Sequence, residues 1–414
     1  MDLFVIIALL VILSAVYSYI NARFIKLPGT IGVISIAILG SVAIIVINNT
    51  NPGMAKHLTA LAKSINFSRT VLNVMLGFLL VASAFNLDTN KLKKAMRPVF
   101  ILSTLGVILS TTIFGFLFYW ITGFFDIRLP LVYCFLFGAL VSPTDPVAVS
   151  AIIKGSNLPQ HLETIISGES LFNDGIGLLL FIVILEVVNA GVDNIDVAKT
   201  AVLFAQEVFG GIALGAFTGY LAYRLMRSIT DFQTIVLVSL ALVLTNSLVA
   251  SFLHLSIPLS VVTAGLFAGN RSINRDNKEH SHEALEKFWE LIDEMLNTIL
   301  FVMIGLQMIV VPYINNYWLT GILAICIILL SRWLSILLPV TLLRRTLNIN
   351  YGTINILTWA GVRGGISIAL ALSLPESKYR YLILSACYFV VIFSIIVQGL
   401  TLNKVINASY RKDK

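Results

Sequence analysis

The sequence predicts an all-α polytopic membrane protein of about thirteen transmembrane helices, and three observations carry that prediction. Of 414 residues, 58% are apolar. Only 12% are charged, against roughly a quarter in soluble domains. The mean hydropathy is +0.93, and a single core cannot hide that much apolar surface, because the buried fraction grows slowly with size. At about 20 apolar residues per crossing, the chain has room for a dozen or more spans with short connections, in one transmembrane domain over 1–414.

Hydropathy places candidate spans at 3–20, 29–47, 69–87, 99–123, 131–153, 164–188, 201–225, 234–253, 256–270, 288–310, 317–343, 353–374 and 380–403. The chain opens Met1-Asp2 without a basic segment, so the first run is expected to be a retained span and not a signal peptide. An odd number of spans puts the termini on opposite sides, and the Lys/Arg bias then sets the orientation. With the N-terminus outside, inner loops receive Lys91, Lys93, Lys94, Arg97, Lys154, Arg224, Arg227, Arg271, Arg275, Arg344, Arg345 and Lys404. Outer loops keep only Lys56, Lys63, Arg69, Arg128, Lys199, Lys378 and Arg380. The C-terminus is therefore expected in the cytoplasm, about ten residues beyond the last span. The net charge of +7 reflects this topology; basic residues scattered at span ends do not describe a nucleic-acid surface.

The remaining features are read as structural. Cys134, Cys326 and Cys387 sit in apolar runs without a ligand spacing and read as small packing residues. Gly211, Gly215 and Gly219 recur every four residues and predict a close helix contact. The Asn270–Lys287 loop, with His280 and His282, reads as a solvated linker. Glu186, Glu207, Glu290, Asp293 and Glu294 lie near span ends, within reach of headgroups or water, and are assigned no role.

Two spans break membrane rules. In the fifth, Ser142-Pro143-Thr144-Asp145-Pro146 removes backbone donors and adds an acid. In the twelfth, Gly361-Val362-Arg363-Gly364-Gly365 brings three glycines and a fixed positive charge. If two inverted six-helix halves flank a linking seventh helix, these breaks occupy corresponding positions, and paired discontinuous helices mark the binding site of a transporter. The sixth span adds Gly168-Glu169-Ser170-Leu171-Phe172-Asn173-Asp174. Glu169 with Asn173, and Ser170 with Asp174, each stack on one helix face. An acid deep in the bilayer costs at least about 2.5–3.5 kcal/mol, so it needs a partner or a watery cavity. Asp174 and Ser170 offer hard oxygens, suited to an alkali cation. Glu169 is expected to neutralise Arg332 of the eleventh span.

The Ser142–Pro146 run, Gly168-Glu169-Ser170 with Asn173-Asp174, Trp289-Glu290 to Gly305-Leu306, and Ala360–Gly365 together resemble the monovalent cation:proton antiporters of the NhaP and animal Na+/H+ exchanger type. The resemblance spans nearly the whole domain, in order and spacing. It implies the antiporter fold, with crossed half-helices in spans five and twelve, and a homodimer in the cell membrane; the lack of the long cytoplasmic tail of the animal exchangers leads to the expectation of a prokaryotic origin. It also implies a mobile core over approximately 99–188 and 317–403 and a dimerisation scaffold over approximately 1–87 and 201–310. Carried over residue by residue, it makes Asp174 the ion and proton carrier, with Ser170 and Thr144 as Na+ ligands. Asn173 braces the break, Asp145 and Arg363 compensate the half-helix ends, and Glu169 pairs with Arg332. The cargo is Na+, Li+ or K+ against H+, and no cofactor is implied. One departure stands out: animal exchangers often carry a Glu in the third span, where this chain reads Leu80-Val81-Ala82-Ser83-Ala84.

Since Asn173 supplies no second titratable acid beside Asp174, one proton is expected to exchange for one cation, without net charge movement. Two other classes compete. An intramembrane aspartyl protease would use Asp145 with Asp174, but its Tyr-Asp and Gly-x-Gly-Asp motifs are missing; a cation channel would need a continuous pore. No Gly-x-x-x-x-Gly-Lys-[Ser/Thr], His-Glu-x-x-His or Gly-x-Ser-x-Gly motif occurs.

Overall fold

The computed structural model describes residues 2–50, 56–125, 127, 129–145, 149, 153, 158–191, 197–269, 279–311, 317–347 and 349–411. Among them there is no strand. Ten helices are long and apolar enough to cross a bilayer: α1 (Phe4–Ile25), α2 (Gly29–Ile47), then, after the short amphipathic α3 (Lys56–Ser64), α4 (Phe67–Asn86), α5 (Thr89–Gly123), α7 (Gln160–Ala190), α8 (Ala201–Ser228), α9 (Phe232–Phe252), α11 (Ala284–Met308), α12 (Trp318–Leu342) and α15 (Arg380–Ser409). Two shorter apolar helices, α6 (Leu131–Val141) and α10 (Ile257–Ala268), stand among them. With the interrupted pair α13 (Tyr351–Trp359) and α14 (Gly365–Leu372), the described residues provide thirteen candidate spans.

Local chemistry sets the helix ends. Asp88 begins α5 by accepting from the Asn90 and Lys91 amides, and Asn66 begins α4 by accepting from the Arg69 amide. Asp231 begins α9, and its bonds from the Thr234 amide (2.8 Å) and hydroxyl (2.6 Å) hold its carboxyl below the usual range. Such side chains satisfy amides that a first helical turn leaves without partners. Gly191, at φ 81°, closes α7 in a conformation that side-chain-bearing residues avoid.

Three spans start earlier than hydropathy indicates: α5 at Thr89, α7 at Gln160 and α11 near Ala284. Their charged leading turns, such as Lys91 to Arg97, keep helical hydrogen bonds in interfacial water, where apolarity is not required. Residues 270–278 of the expected linker, with Arg271 and Arg275, lie outside the described residues, as do Lys154 and Pro146; the rest of it, 279–287, is not a loop but the leading turns of the helix Glu279–Met308. Cys326 departs from its packing assignment: Cys134 and Cys387 are buried, whereas Cys326 is exposed on α12.

Packing follows the small residues. Gly211, Gly215 and Gly219 of α8 lie against the backbone of Ser256, Ser260 and Ala264; a Cβ at Gly219 would come within 2.7 Å of the Ala264 carbonyl oxygen. Phe114 and Phe118 of α5 stack and meet Phe137 of α6 edge-on at 5.1 Å. Apolar burial divides accordingly. A large cluster takes in α5, α6, α7, α12, α13, α14 and α15 together with α3 and parts of α1, α2, α4 and α11. A separate one, confined to α4 and α8 to α11, surrounds Trp289, whose Nε1 donates to Ser239 Oγ at 3.2 Å.

Candidate functional site at the crossed helix breaks

The two interrupted spans meet at their breaks. Helix α6 stops at Val141, and the Asp145 amide donates to the Val362 carbonyl at 2.6 Å. Between them runs Arg363, wholly buried, whose Nε donates to the Val141 carbonyl at 3.0 Å and whose Nη1 donates to the Gly361 carbonyl. One guanidinium thus covers the carbonyl ends of both α6 and α13, where helix dipoles concentrate negative charge. The Asp145 carboxylate rests on Gly364, directly before α14, and any Cβ at that position would collide with it. An acid stands near a helix start and a base at two helix ends, the arrangement that dipole electrostatics favours.

A third helix ties down the break from behind. Ser394 Oγ accepts from the Arg363 amide at 2.8 Å and donates to Gln398 Oε1 at 2.5 Å. Gln398 Nε2 donates to the Trp359 carbonyl at 3.3 Å. Both residues lie in a π-helical turn of α15 (Ser394–Gln398), a widened turn often found at functional sites. Sequence reasoning missed this pair, because a lone Ser and Gln in an apolar run carry no spacing signal.

Helix α7 supplies the acids. Asn173 clasps the α6 break, accepting from the Thr144 amide at 3.2 Å and donating to Thr144 Oγ1 at 2.7 Å. The Thr144 and Ser170 hydroxyls share a hydrogen bond of 2.9 Å. Glu169 pairs with Arg332 Nη1 at 2.6 Å, both side chains 2% exposed. Asp174, near the middle of α7 and 4% exposed, faces a cavity of ≈ 30 Å³. A space that size holds a water or a largely dehydrated ion, not an organic substrate.

The cavity wall separates the residues singled out by sequence into two groups. Asp174 and Asp145 line it with Pro143 and Gly364; the others do not, Ser170, Thr144 and Asn173 forming a bonded cluster where the α6 break meets α7, and Glu169, Arg332 and Arg363 lying elsewhere. The opposite wall comes from α4 and α11 and is apolar except for Ser83 and Asn297. Asn297 was not legible as a site residue.

Paired helix breaks that cross beside a buried carboxylate, in a thirteen-span bundle, define a secondary transporter of the ion-exchanging kind. The family model for the transmembrane sodium/hydrogen exchanger matches residues 7–408, and the chain belongs to that family, whose members are transporters and not enzymes. It is 39% identical over 412 residues to the Na+/H+ antiporter NhaP of Pseudomonas aeruginosa, covering 98% of this chain and 96% of the relative. It is 30% identical to the Na+/H+ antiporter NhaH of Halobacillus aidingensis, covering 98% and 97%. Among solved structures, the sodium proton antiporter MjNhaP1 of Methanocaldococcus jannaschii at pH 8 superposes with a TM-score of 0.76, covering 100% of this chain and 99% of that one; at 18% identity the likeness concerns the fold. None of these supports the protease or channel alternatives.

Proposed function

We propose that this protein exchanges Na+ for H+ across a prokaryotic cell membrane by alternating access, with Asp174 carrying each ion in turn. The placement of Asp174 in a small cavity beside both helix breaks is the observation that supports this most. A carboxylate withdrawn from water is costly to leave bare. A cation and a proton compete for its oxygens, and the loaded, neutral form is the one that crosses. Empty returns are suppressed, which makes the process exchange and not leak.

The neighbours divide the work. Ser170, one helical turn before Asp174, and Thr144, hydrogen-bonded to it from the α6 break, present hydroxyl oxygens that complete the Na+ shell. Asn173 holds the break at Thr144 without titrating. Asp145 and Arg363 balance the half-helix ends, Glu169 is held by Arg332, and Asp174 alone carries the proton, so exchange is electroneutral. Helices within 99–188 and 317–403 form the moving core, and 1–87 with 201–310 form a scaffold through which two copies pair. The separate apolar cluster of α4 and α8 to α11 supports that division. The N-terminus lies outside and the C-terminus in the cytoplasm, in line with the Lys/Arg bias.

Asp174→Asn tests the reading. Purified and reconstituted in vesicles with a pH-sensitive dye, the variant is expected to fold and melt like the parent while losing Na+-driven proton movement. Retained exchange in a folded Asp174→Asn protein overturns the assignment.

A further inference from the structure

We propose that Asn297 is a cation-selecting ligand on the scaffold wall, fixed in place by Asp293; this deepens the Na+/H+ exchange reading at Asp174 and rests on it. Asn297 is 1% exposed and lines the same cavity as Asp174 and Asp145, across from them on α11. A buried amide in a wall that is apolar but for it and Ser83 needs a reason, since unpaired polar groups are costly away from water.

The orientation of that amide follows from its partners. Asn297 Nδ2 donates to the Asp293 carbonyl at 2.8 Å and to Asp293 Oδ1 at 3.0 Å. A carboxylate and a carbonyl only accept, so the flipped amide would set oxygen against oxygen at both contacts. With Nδ2 committed twice, Oδ1 is the polar atom left for the cavity. It is a neutral, hard acceptor, suited to an alkali cation and unable to be a proton carrier. Asp293, half-buried one turn earlier, polarises the amide and adds negative potential on the cation's approach.

The consequence is a division of labour across the cavity. Asp174 binds either ion, whereas Asn297 Oδ1 favours the metal ion over H+ because it contributes to a coordination shell that a proton does not require. Its distance from the core carboxylate is set by helix α11, so the fit depends on ionic radius.

The test is cation-driven proton flux of the full chain in proteoliposomes, with Na+, Li+ and K+ in turn. Asn297→Leu, close in volume but lacking the oxygen, is expected to raise the half-saturating Na+ concentration about tenfold, the worth of one bond to a charged group. Maximum rate and half-saturating H+ concentration are expected to stay near the parent's, and the three cations to become more alike. Asp293→Leu shifts affinity in the same direction, and Asp293→Asn, which keeps an acceptor oxygen, retains more of it. Should Asn297→Leu fail to fold, Asp293→Leu carries the test alone. A half-saturating Na+ concentration within about twofold of the parent's with the cation order unchanged overturns the proposal, as does loss of maximum rate without an affinity change. Asp174→Asn run alongside separates the failures: retained flux there refutes the exchange reading, whereas lost flux with an indifferent Asn297→Leu refutes only the ligand.

Discussion

The most expensive residues in the membrane part are its buried charges, and each has its own solution. Arg363 serves two carbonyl ends. Arg332 meets Glu169 at 2.6 Å, with both groups almost fully removed from solvent. A buried pair of this kind adds little net stability over apolar residues of similar volume, but losing one partner is costly. Glu169→Gln is therefore expected to destabilise by about 3–5 kcal/mol, read as a lower melting temperature in detergent. The double variant Glu169→Leu/Arg332→Met is expected to recover most of that loss. Equal melting of Glu169→Gln and the parent contradicts the structural role and leaves Glu169 open to a part in transport.

At the scale of elements, the informative unit is the joint of α6, α13 and α15. Helix α13 cannot continue through Gly361 to Gly364, and the carbonyls it leaves behind must find donors. Arg363 covers Gly361, and Gln398 covers Trp359 from the π turn of α15. Gln398→Leu strips the Trp359 carbonyl of its donor and the Ser394 hydroxyl of its acceptor at once, a cost of about 1–3 kcal/mol. Because Ser394 also receives the Arg363 amide, the variant is expected to lower the transport rate beyond its loss of folded protein, scored by flux per folded molecule. Unchanged flux with lowered melting confines the pair to stability.

Across the whole molecule, the parts visible in the sequence are those where apolar patterning is violated. The Ser142–Asp145 and Gly361–Gly365 runs announce both breaks because proline, glycine and charge are costly there. Glu169 and Asp174 announce themselves by depth in an apolar helix. Span starts such as Thr89 were hidden because amphipathic leading turns resemble loops to a hydropathy scale. Asn297, Ser394 and Gln398 were hidden because single uncharged polar residues are common in membrane helices, and only their distances reveal a network. Topology is the molecule-scale consequence of the charge bias. With Cys326 removed, cysteine at position 93 is expected to react with an impermeant thiol reagent only from the cytoplasmic face, and cysteine at 378 only from outside; the reverse pattern inverts the orientation.

The pH dependence of the apparent Na+ affinity, measured as flux in vesicles held at zero membrane potential, bears most directly on whether one carboxylate serves both ions. Competition at Asp174 predicts that, on the acid side, the half-saturating Na+ concentration climbs about tenfold per pH unit while the maximum rate stays constant. A half-saturating concentration indifferent to pH, with the maximum rate falling instead, would mean that the two ions occupy different sites.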